Sequence, residues 1–314
     1  MPITTHAIRP RWFSSLLIAV FACLMLVLSA CGSTNTASSA TPTSACAHPV
    51  SLSQVNLGVI PDSTTNVLDA TKPFSDALSK LVCKPVNLFV GTNYSSIITA
   101  MTSGKADVAA FGPLSYVLAA DKGGAQAILR SLAPANKADH YYAYIITTPK
   151  TGIKTLADLK GKRFAFVDPA STSGNLVPRY TLLNAGIDPD KDLQSTYVGG
   201  QDLSLTAVLS GKVDAGAFAS DTYDSMLQQG KFKASDVVII SKSFPIPEGP
   251  IAVRKGLSQS DIASLRAAFL DLNNNAAALN ALSSGGFIND TDSNFNSIRA
   301  LARKLNLDLT KLVK

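Results

Sequence analysis

The chain has 314 residues, 46% of them hydrophobic and 16% charged, and a formal net charge of +6. It is long enough for two ordinary α/β domains with sizeable cores, and this composition excludes a disordered protein. The basic residues are scattered rather than clustered with aromatic residues, so we expect no nucleic-acid partner.

The first 45 residues carry the signals of export and membrane attachment. An apolar run over residues 12–28 follows two arginines; it is too short for a comfortable membrane span and has the layout of a secretory signal peptide. Residues 28–31 read Leu-Ser-Ala-Cys, which resembles the lipobox of bacterial lipoproteins. The resemblance implies a signal peptide over residues 1–30, a lipid on the Cys31 thiol and attachment outside the cytoplasmic membrane. Small polar residues then predict a flexible tether over residues 31–45.

The cysteines fit the same compartment. Cys23 would leave with the signal peptide and Cys31 would carry the lipid, so Cys46 and Cys83 remain as an even pair in an oxidising setting. We predict a disulfide between Cys46 and Cys83, which would hold the start of the folded part to its second strand. Two free buried thiols are the alternative.

Apolar strand-like runs and helical stretches alternate from residue 55 onward, which is typical of α/β layers around a largely parallel sheet. Strands are predicted over residues 55–60, 86–90, 108–111, 127–132, 142–147, 163–167, 195–198, 215–219 and 237–241. Helices are predicted over residues 64–82, 95–103, 114–122, 156–159, 173–184, 203–209 and 221–229. A helical C-terminal region is predicted to begin with residues 258–274 and to end with residues 294–305.

One internal repeat bears on the architecture. Residues 100–112 and 207–219 agree at seven of thirteen positions, and both contain Ser-Gly-Lys-x-Asp between a helix and a buried strand. Because only two copies exist, the repeat predicts two similar lobes rather than a solenoid. We predict lobe 1 over residues 46–142 and 245–314 and lobe 2 over residues 143–244, with a ligand cleft between them.

The stretch after the predicted strand at residues 164–167 is a candidate anion site. The chain turns there, and Ser171, Thr172 and Ser173 stand where a helix should begin. A helix start offers unpaired backbone N–H groups and the positive end of the helix dipole, and hydroxyl groups add donors. Ordinary N-capping is the alternative, since Ser and Thr satisfy such N–H groups themselves.

Four other turns follow predicted strands in the same way, and corresponding strand ends in both lobes should face the cleft. These turns are residues 92–94, 112–116, 199–202 and 220–222. Each alone is usually plain turn chemistry, so their coincidence at one sheet edge is the informative feature.

Several of these segments carry a family resemblance. They are Gly-Thr-Asn-Tyr at residues 91–94, Gly-Pro-Leu-Ser-Tyr-Val-Leu-Ala at 112–119, Leu-Ala-Asp-Leu-Lys-Gly-Lys-Arg-Phe-Ala-Phe-Val-Asp-Pro at 156–169 and Ser-Thr-Ser-Gly at 171–174. In order and spacing they are similar to the phosphate/phosphite/phosphonate-binding proteins of bacterial ABC importers. The resemblance implies an α/β type II periplasmic binding protein fold, with two lobes joined by a two-segment hinge.

The resemblance also implies residue roles. Ser171, Thr172 and Ser173 would bind the phosphorus oxygens, and Tyr94 and Tyr116 would close on the ligand from lobe 1.

Two positions depart from the family pattern. Gln201 stands where phosphonate binders commonly have a His; its amide still donates hydrogen bonds but carries no charge.

Binders of alkylamine phosphonates use two acids; one falls near Asp221, but the second matches Gly249, with Glu248 displaced by one residue. A carboxylate beside an anion repels it unless the ligand presents a proton, so Asp221 would favour a P–OH group or an ammonium and exclude sulfate. The alternative is that Asp221 only caps a helix.

These observations predict an extracytoplasmic solute-binding lipoprotein. It would capture phosphite, a phosphonate or phosphate, deliver it to an ABC importer permease, act as a monomer and be anchored through Cys31. We expect no enzyme activity, cofactor or metal, because the two histidines outside the signal peptide have no metal-ligand spacing and no nucleophile elbow or Walker loop occurs. The alternatives are a binding protein for another small organic anion such as a sulfonate, or an extracellular sensor without a transport role.

Overall fold

The computed structural model describes residues 46–61 and 67–305. The predicted signal peptide, Cys31 and the tether lie outside the described residues. Within the described part of the chain, no helix is long and apolar enough to cross a membrane.

Thirteen strands are described, and they confirm the predicted α/β class. They are β1 Val55–Val59, β2 Val86–Val90, β3 Val108–Ala110, β4 Gln126–Leu132, β5 His140–Tyr141, β6 Ala143–Thr147, β7 Arg163–Phe166, β8 Gln194–Tyr197, β9 Ala215–Ala219, β10 Val238–Lys242, β11 Ile246–Pro247, β12 Pro250–Val253 and β13 Gly286–Asn289.

The described α-helices are α1 Val67–Val82, α2 Tyr94–Thr102, α3 Pro113–Gly123, α4 Val177–Asn184, α5 Gln201–Leu209, α6 Ser220–Gln228, α7 Gln259–Asp271, α8 Ala276–Ala281 and α9 Asn296–Lys304. A π-helix, Thr172–Leu176, precedes α4. Short 3₁₀ turns are Pro149–Thr151, Leu156–Leu159, Ala234–Asp236, Leu272–Asn274 and Asp292–Phe295. The two ends of the predicted C-terminal helical region coincide with α7 and α9, but the strand β13 lies between them.

The strands form two main sheets of matching topology. One has the order β13-β4-β12-β3-β1-β2 and the other β10-β6-β9-β7-β8. In each sheet three parallel strands stand in the order second, first, third, and an antiparallel strand follows, β12 in one and β6 in the other. The two copies of the sequence repeat end in β3 and β9, which occupy equivalent positions.

Two chain segments connect the sheets. The six-stranded sheet takes its strands from residues 55–132 and 250–289, and the five-stranded sheet takes its strands from residues 143–242. The connecting segments contain β5 and β11, which pair antiparallel with Tyr141 opposite Ile246. Two short paired strands are a small joint about which two lobes can hinge.

Each sheet has its own apolar core. Helices α1 and α7 cover one face of the six-stranded sheet, where the ring of Phe269 lies 5.5 Å from that of Phe74 and 5.3 Å from that of Phe287. In the five-stranded sheet Phe164 and Phe166 are buried with their ring centres 4.7 Å apart. Burial of such aromatic side chains is the main term that holds each sheet to its helices.

A disulfide joins Cys46 to Cys83, with 5.9 Å between their Cα atoms. It ties the first described residue to the end of α1, directly before β2. The backbone N–H of His48 donates to the carbonyl of Leu81 nearby, so the start of the described chain is held at two points.

Candidate functional site

A cavity of about 550 Å³ lies between the ends of the two sheets. Strand-to-helix turns from both sheets line it, as expected where the carboxyl ends of parallel strands meet. Six of the seven residues predicted to bind a ligand are among its lining residues: Tyr94, Ser171, Thr172, Ser173, Gln201 and Asp221.

The serine and threonine turn forms one wall of the cavity. After β7 the chain bends, and the Ser171 hydroxyl caps the π-helix by accepting from the N–H of Gly174 at 3.0 Å. Gly174 approaches the strand so closely that a Cβ there would lie 2.3 Å from the Val167 side chain. Only glycine fits this position without displacing its neighbours, so the glycine that follows the three hydroxyl residues is a steric requirement of the turn.

Gln201 links the residues of this wall. Its Nε2 lies 3.3 Å from the Tyr94 hydroxyl, 3.3 Å from the Ser171 hydroxyl and 3.4 Å from the Ser173 hydroxyl. Its Oε1 accepts from the N–H of Ala219 at 2.9 Å, so the donor end of the amide faces the hydroxyls. The Ser171 oxygen accepts from Gly174 and from Gln201, which leaves its own O–H as a donor for a bound oxyanion.

Three α-helices begin at the cavity with no side-chain bond from their own N-cap residues, which are Gly112 for α3, Gly200 for α5 and Ala219 for α6. The start of a helix carries a partial charge of roughly +0.5 on its free N–H groups. Together these helix starts favour an anion in the cavity.

Two side chains that follow β7 reach the starts of helices that belong with the six-stranded sheet. The Thr172 hydroxyl accepts from the N–H of Leu114, in the first turn of α3, at 2.8 Å. Asp168 accepts from the backbone N–H of Tyr94, and burial raises the pKa of this carboxyl. These bonds close the cavity on the side of Ser171.

Tyr116 is not brought into the cavity, although the sequence predicted that it closes on the ligand. Its hydroxyl donates to Asp292 at 2.7 Å and accepts from the N–H of Ala127 at 3.1 Å, and its ring packs against Phe295. Burial raises the pKa of the Tyr116 phenol, which stays neutral as a donor to Asp292. The fourth residue of α3 thus faces the 3₁₀ turn Asp292–Phe295, which precedes α9, rather than the cleft.

Tyr141 lines the cavity and was not among the predicted ligand residues. It is 8% exposed and shares hydrogen bonds with Ser173 and Thr172. Burial, with Glu248 close by, raises the pKa of its phenol, so Tyr141 is a neutral donor. The signal was its position next to the predicted lobe boundary at residues 142–143, since the chain borders the cleft where it passes between lobes.

Two carboxyl groups face each other on another side of the cavity. Asp221 is hydrogen-bonded to Glu248, and burial raises the pKa of Asp221. Contact between two carboxyl groups favours a proton shared by the pair, because two adjacent buried charges repel. A Cβ at Gly249 would lie 2.1 Å from the carbonyl oxygen of Phe111, so Glu248, not position 249, supplies the second acid.

Two sheets of matching strand order, two paired connecting segments and a polar cavity between them define a type II periplasmic binding protein. Residues 57–295 also match the family model described as "ABC transporter, phosphonate, periplasmic substrate-binding protein". The chain therefore belongs to this family of phosphonate substrate-binding proteins of ABC transporters, as its sequence motifs predicted.

Individual relatives agree with this assignment. The chain is 31% identical over 211 residues to the phosphonates-binding periplasmic protein of Escherichia coli, an alignment that covers 66% of this chain and 62% of the relative. It is 30% identical over 260 residues, 79% of each chain, to the phosphate-import protein PhnD of Mycolicibacterium smegmatis. The binding-protein component of a phosphonate ABC transporter from Pseudomonas aeruginosa superposes with a TM-score of 0.74 at 26% identity, covering 82% of this chain and 96% of that one.

Proposed function

We propose that this protein captures a small phosphorus oxyanion, namely phosphite, a phosphonate or phosphate, and delivers it to the permease of an ABC importer. One observation carries the proposal. The hydroxyls of Ser171 and Ser173 and the Tyr94 phenol surround the Gln201 amide within 3.4 Å, at the start of a helix in the cavity. Hydroxyl and amide donors at a helix start suit the oxygens of a tetrahedral anion.

These donors are all uncharged, so they would stabilise the anion through hydrogen bonds and helix dipoles rather than through an ion pair. Thr172 and Tyr141 would add two more hydroxyls. Closure of the lobes would bring the donors of both sheets around the ligand and expel water, which strengthens each of these bonds. Binding would proceed without turnover of the ligand.

The carboxyl pair would select the charge of the ligand. Asp221 and Glu248 would accept a hydrogen bond from a P–OH group or from an ammonium on an organic arm. A phosphonate with an amine is therefore a second candidate, favoured by the pairing of these two acids in the cavity. Sulfate offers neither group, so it would meet repulsion.

The remaining features follow the sequence. We propose lobe 1 over residues 46–142 and 245–314 and lobe 2 over residues 143–244, supported by the membership of the two main sheets. We also propose a monomer, held at the membrane by a lipid on Cys31.

Calorimetry tests the proposal on the secreted chain without residues 1–31. Phosphite, phosphate, methylphosphonate, aminoethylphosphonate and sulfate would be titrated at two pH values. We expect binding of at least one phosphorus oxyanion and none of sulfate; binding of sulfate or a sulfonate alone would contradict the proposal.

An Asp221→Asn variant tests the carboxyl pair. Its affinity should fall for ligands with a P–OH group or an ammonium, while its melting temperature changes little. Unchanged affinity would show that Asp221 takes no part in ligand binding; it does not cap α6 either, because the N-cap of that helix is Ala219.

A further inference from the structure

The turn that carries Ser171, Thr172 and Ser173 has an unusual backbone. Leu176 donates its N–H to the carbonyl of Ser171 at 3.1 Å, a bond that spans five residues instead of the four of an α-helix. π-turns of this kind are rare and occur mostly at functional sites. Because the turn is not a favoured local structure, surrounding side chains must hold it in shape.

Asn175 bridges the turn from behind. It is 1% exposed, and its Nδ2 donates to the carbonyl of Pro169 at 2.8 Å. Its amide thereby joins the two ends of the loop that contains all three hydroxyl residues. Its Oδ1 accepts from Arg179 Nε at 2.8 Å and from the Tyr197 hydroxyl at 3.1 Å.

Arg179 contacts Asn175 and the residues around it. Its side chain is only 12% exposed, and its Nη1 lies 2.9 Å from both carboxylate oxygens of Asp190. Its Nη2 donates to the Tyr197 hydroxyl at 3.2 Å, and its guanidinium lies 4.8 Å from the centre of the Phe166 ring in β7. The guanidinium thus connects α4, β7 and β8 to the Asn175 amide.

We infer that Arg179 is a positioning residue for ligand binding. It orients Asn175, and Asn175 holds the loop in the shape that directs the hydroxyls of Ser171, Thr172 and Ser173 into the cavity. The inference rests on the proposed function of that cavity. By this inference, a residue that does not line the cavity controls the affinity for the oxyanion.

The role requires the shape of the guanidinium and not only its charge. Arginine presents five N–H donors in a planar fork, and here they serve Asn175, Asp190 and Tyr197 at once. Lysine would keep the charge but could not bond in those three directions while lying flat on Phe166. Arg179→Lys therefore separates positioning from a long-range charge effect.

The experiment compares Arg179→Lys and Arg179→Gln with Arg163→Gln. Arg163 is a matched control because it bonds Asp214 at 2.7 Å at the other end of β7 and is 48% exposed. Affinity for phosphite, phosphate and methylphosphonate would be measured by calorimetry. Hydrogen exchange at the amides of Leu176 and Val177, which make the π-turn bonds, would be measured without ligand.

We expect both Arg179 variants to lose at least about tenfold in affinity and to exchange these two amides at least about tenfold faster, while Arg163→Gln stays within about twofold. A lysine variant with wild-type affinity and wild-type exchange would overturn the inference. A milder variant, Tyr197→Phe, removes one hydroxyl from a half-exposed residue and should lower ligand affinity about threefold. If the Arg179 variants fail to fold, unchanged exchange in Tyr197→Phe overturns the inference instead.

The exchange measurement also separates this inference from the proposed function. A wild-type protein that binds none of the three probes refutes the proposed ligand class. Faster exchange in the variants would then still support the positioning of the turn.

Discussion

Replacing Gln201 by glutamate tests the neutral donor set most directly. The substitution keeps the size of the side chain, and one carboxylate oxygen can still accept from the N–H of Ala219. The other oxygen would replace the Nε2 donor that lies 3.3 Å from Tyr94 and from Ser171. A donor that faces the anion would become an acceptor, and a charge would be added.

Two effects set how much ligand affinity Gln201→Glu should lose. A hydrogen bond to a charged group contributes about 1.5–3 kcal/mol. A carboxylate about 4 Å from the bound anion adds about 4 kcal/mol of repulsion at an effective dielectric constant of 20. Even half of their sum, about 3 kcal/mol, weakens binding by more than about a hundredfold.

The pH dependence has a definite sign. Burial and a neighbouring anion both raise the pKa of the new carboxyl group, and the protonated form has an O–H donor. As the pH falls through this raised pKa, the affinity of Gln201→Glu relative to wild type should recover. Calorimetry of both proteins at about pH 7.5 and about pH 5 measures this ratio.

A second variant, Gln201→Met, controls for the loss of the donor alone and should lose only about tenfold, since it adds no charge. Equal thermal unfolding of the three proteins would show that the fold is retained. Binding of Gln201→Glu within about threefold of wild type at neutral pH would contradict a donor role for Gln201. A difference in affinity between the two proteins that does not narrow on acidification would contradict it as well.

Gly174→Ala should destabilise the protein by about 1–3 kcal/mol in urea unfolding, because the added methyl overlaps the preceding strand; wild-type stability would contradict the steric argument. Tyr116→Phe should cost about 1 kcal/mol of stability but leave ligand affinity within about twofold, since its hydroxyl bonds only outside the cavity. Tyr141→Phe should instead lower affinity about fivefold with little loss of stability, and a reversed pattern would restore the sequence-based assignment. Replacing both Cys46 and Cys83 by serine should cost about 4 kcal/mol, from the chain entropy of a crosslink with a sequence separation of 37. Titration of the unfolded, unreduced wild type should find no thiol from this pair.

Much of the fold is predictable from local patterns. The strands predicted over residues 86–90 and 215–219 coincide with β2 and β9, because short apolar runs between turn residues fit few other structures. The strand β13, Gly286–Asn289, was missed. It is four residues long and is a strand because it pairs with β4, not because of a pattern of its own.

The helix predicted over residues 173–184 shows a second limit. The chain does coil there, but its first turn is the π-helix Thr172–Leu176 and only Val177–Asn184 is α-helical. Helix signals such as the Ser171 cap do not distinguish a π-helical first turn from an α-helical one. The difference arises from the close approach of Gly174 to Val167 and from the bonds of Asn175.

By itself, the sequence determined the α/β class, the repeated unit and the turns that line the cavity, because turn chemistry and apolar periodicity act between residues close in the chain. Only the tertiary structure decided which tyrosine faces the cavity and which acid meets Asp221. Tyr116 turns toward Asp292, far along the chain, and Glu248 reaches Asp221 from the connecting segment that contains β11. Such choices depend on how helices rotate and segments cross when distant parts of the chain pack, and no local pattern encodes that packing.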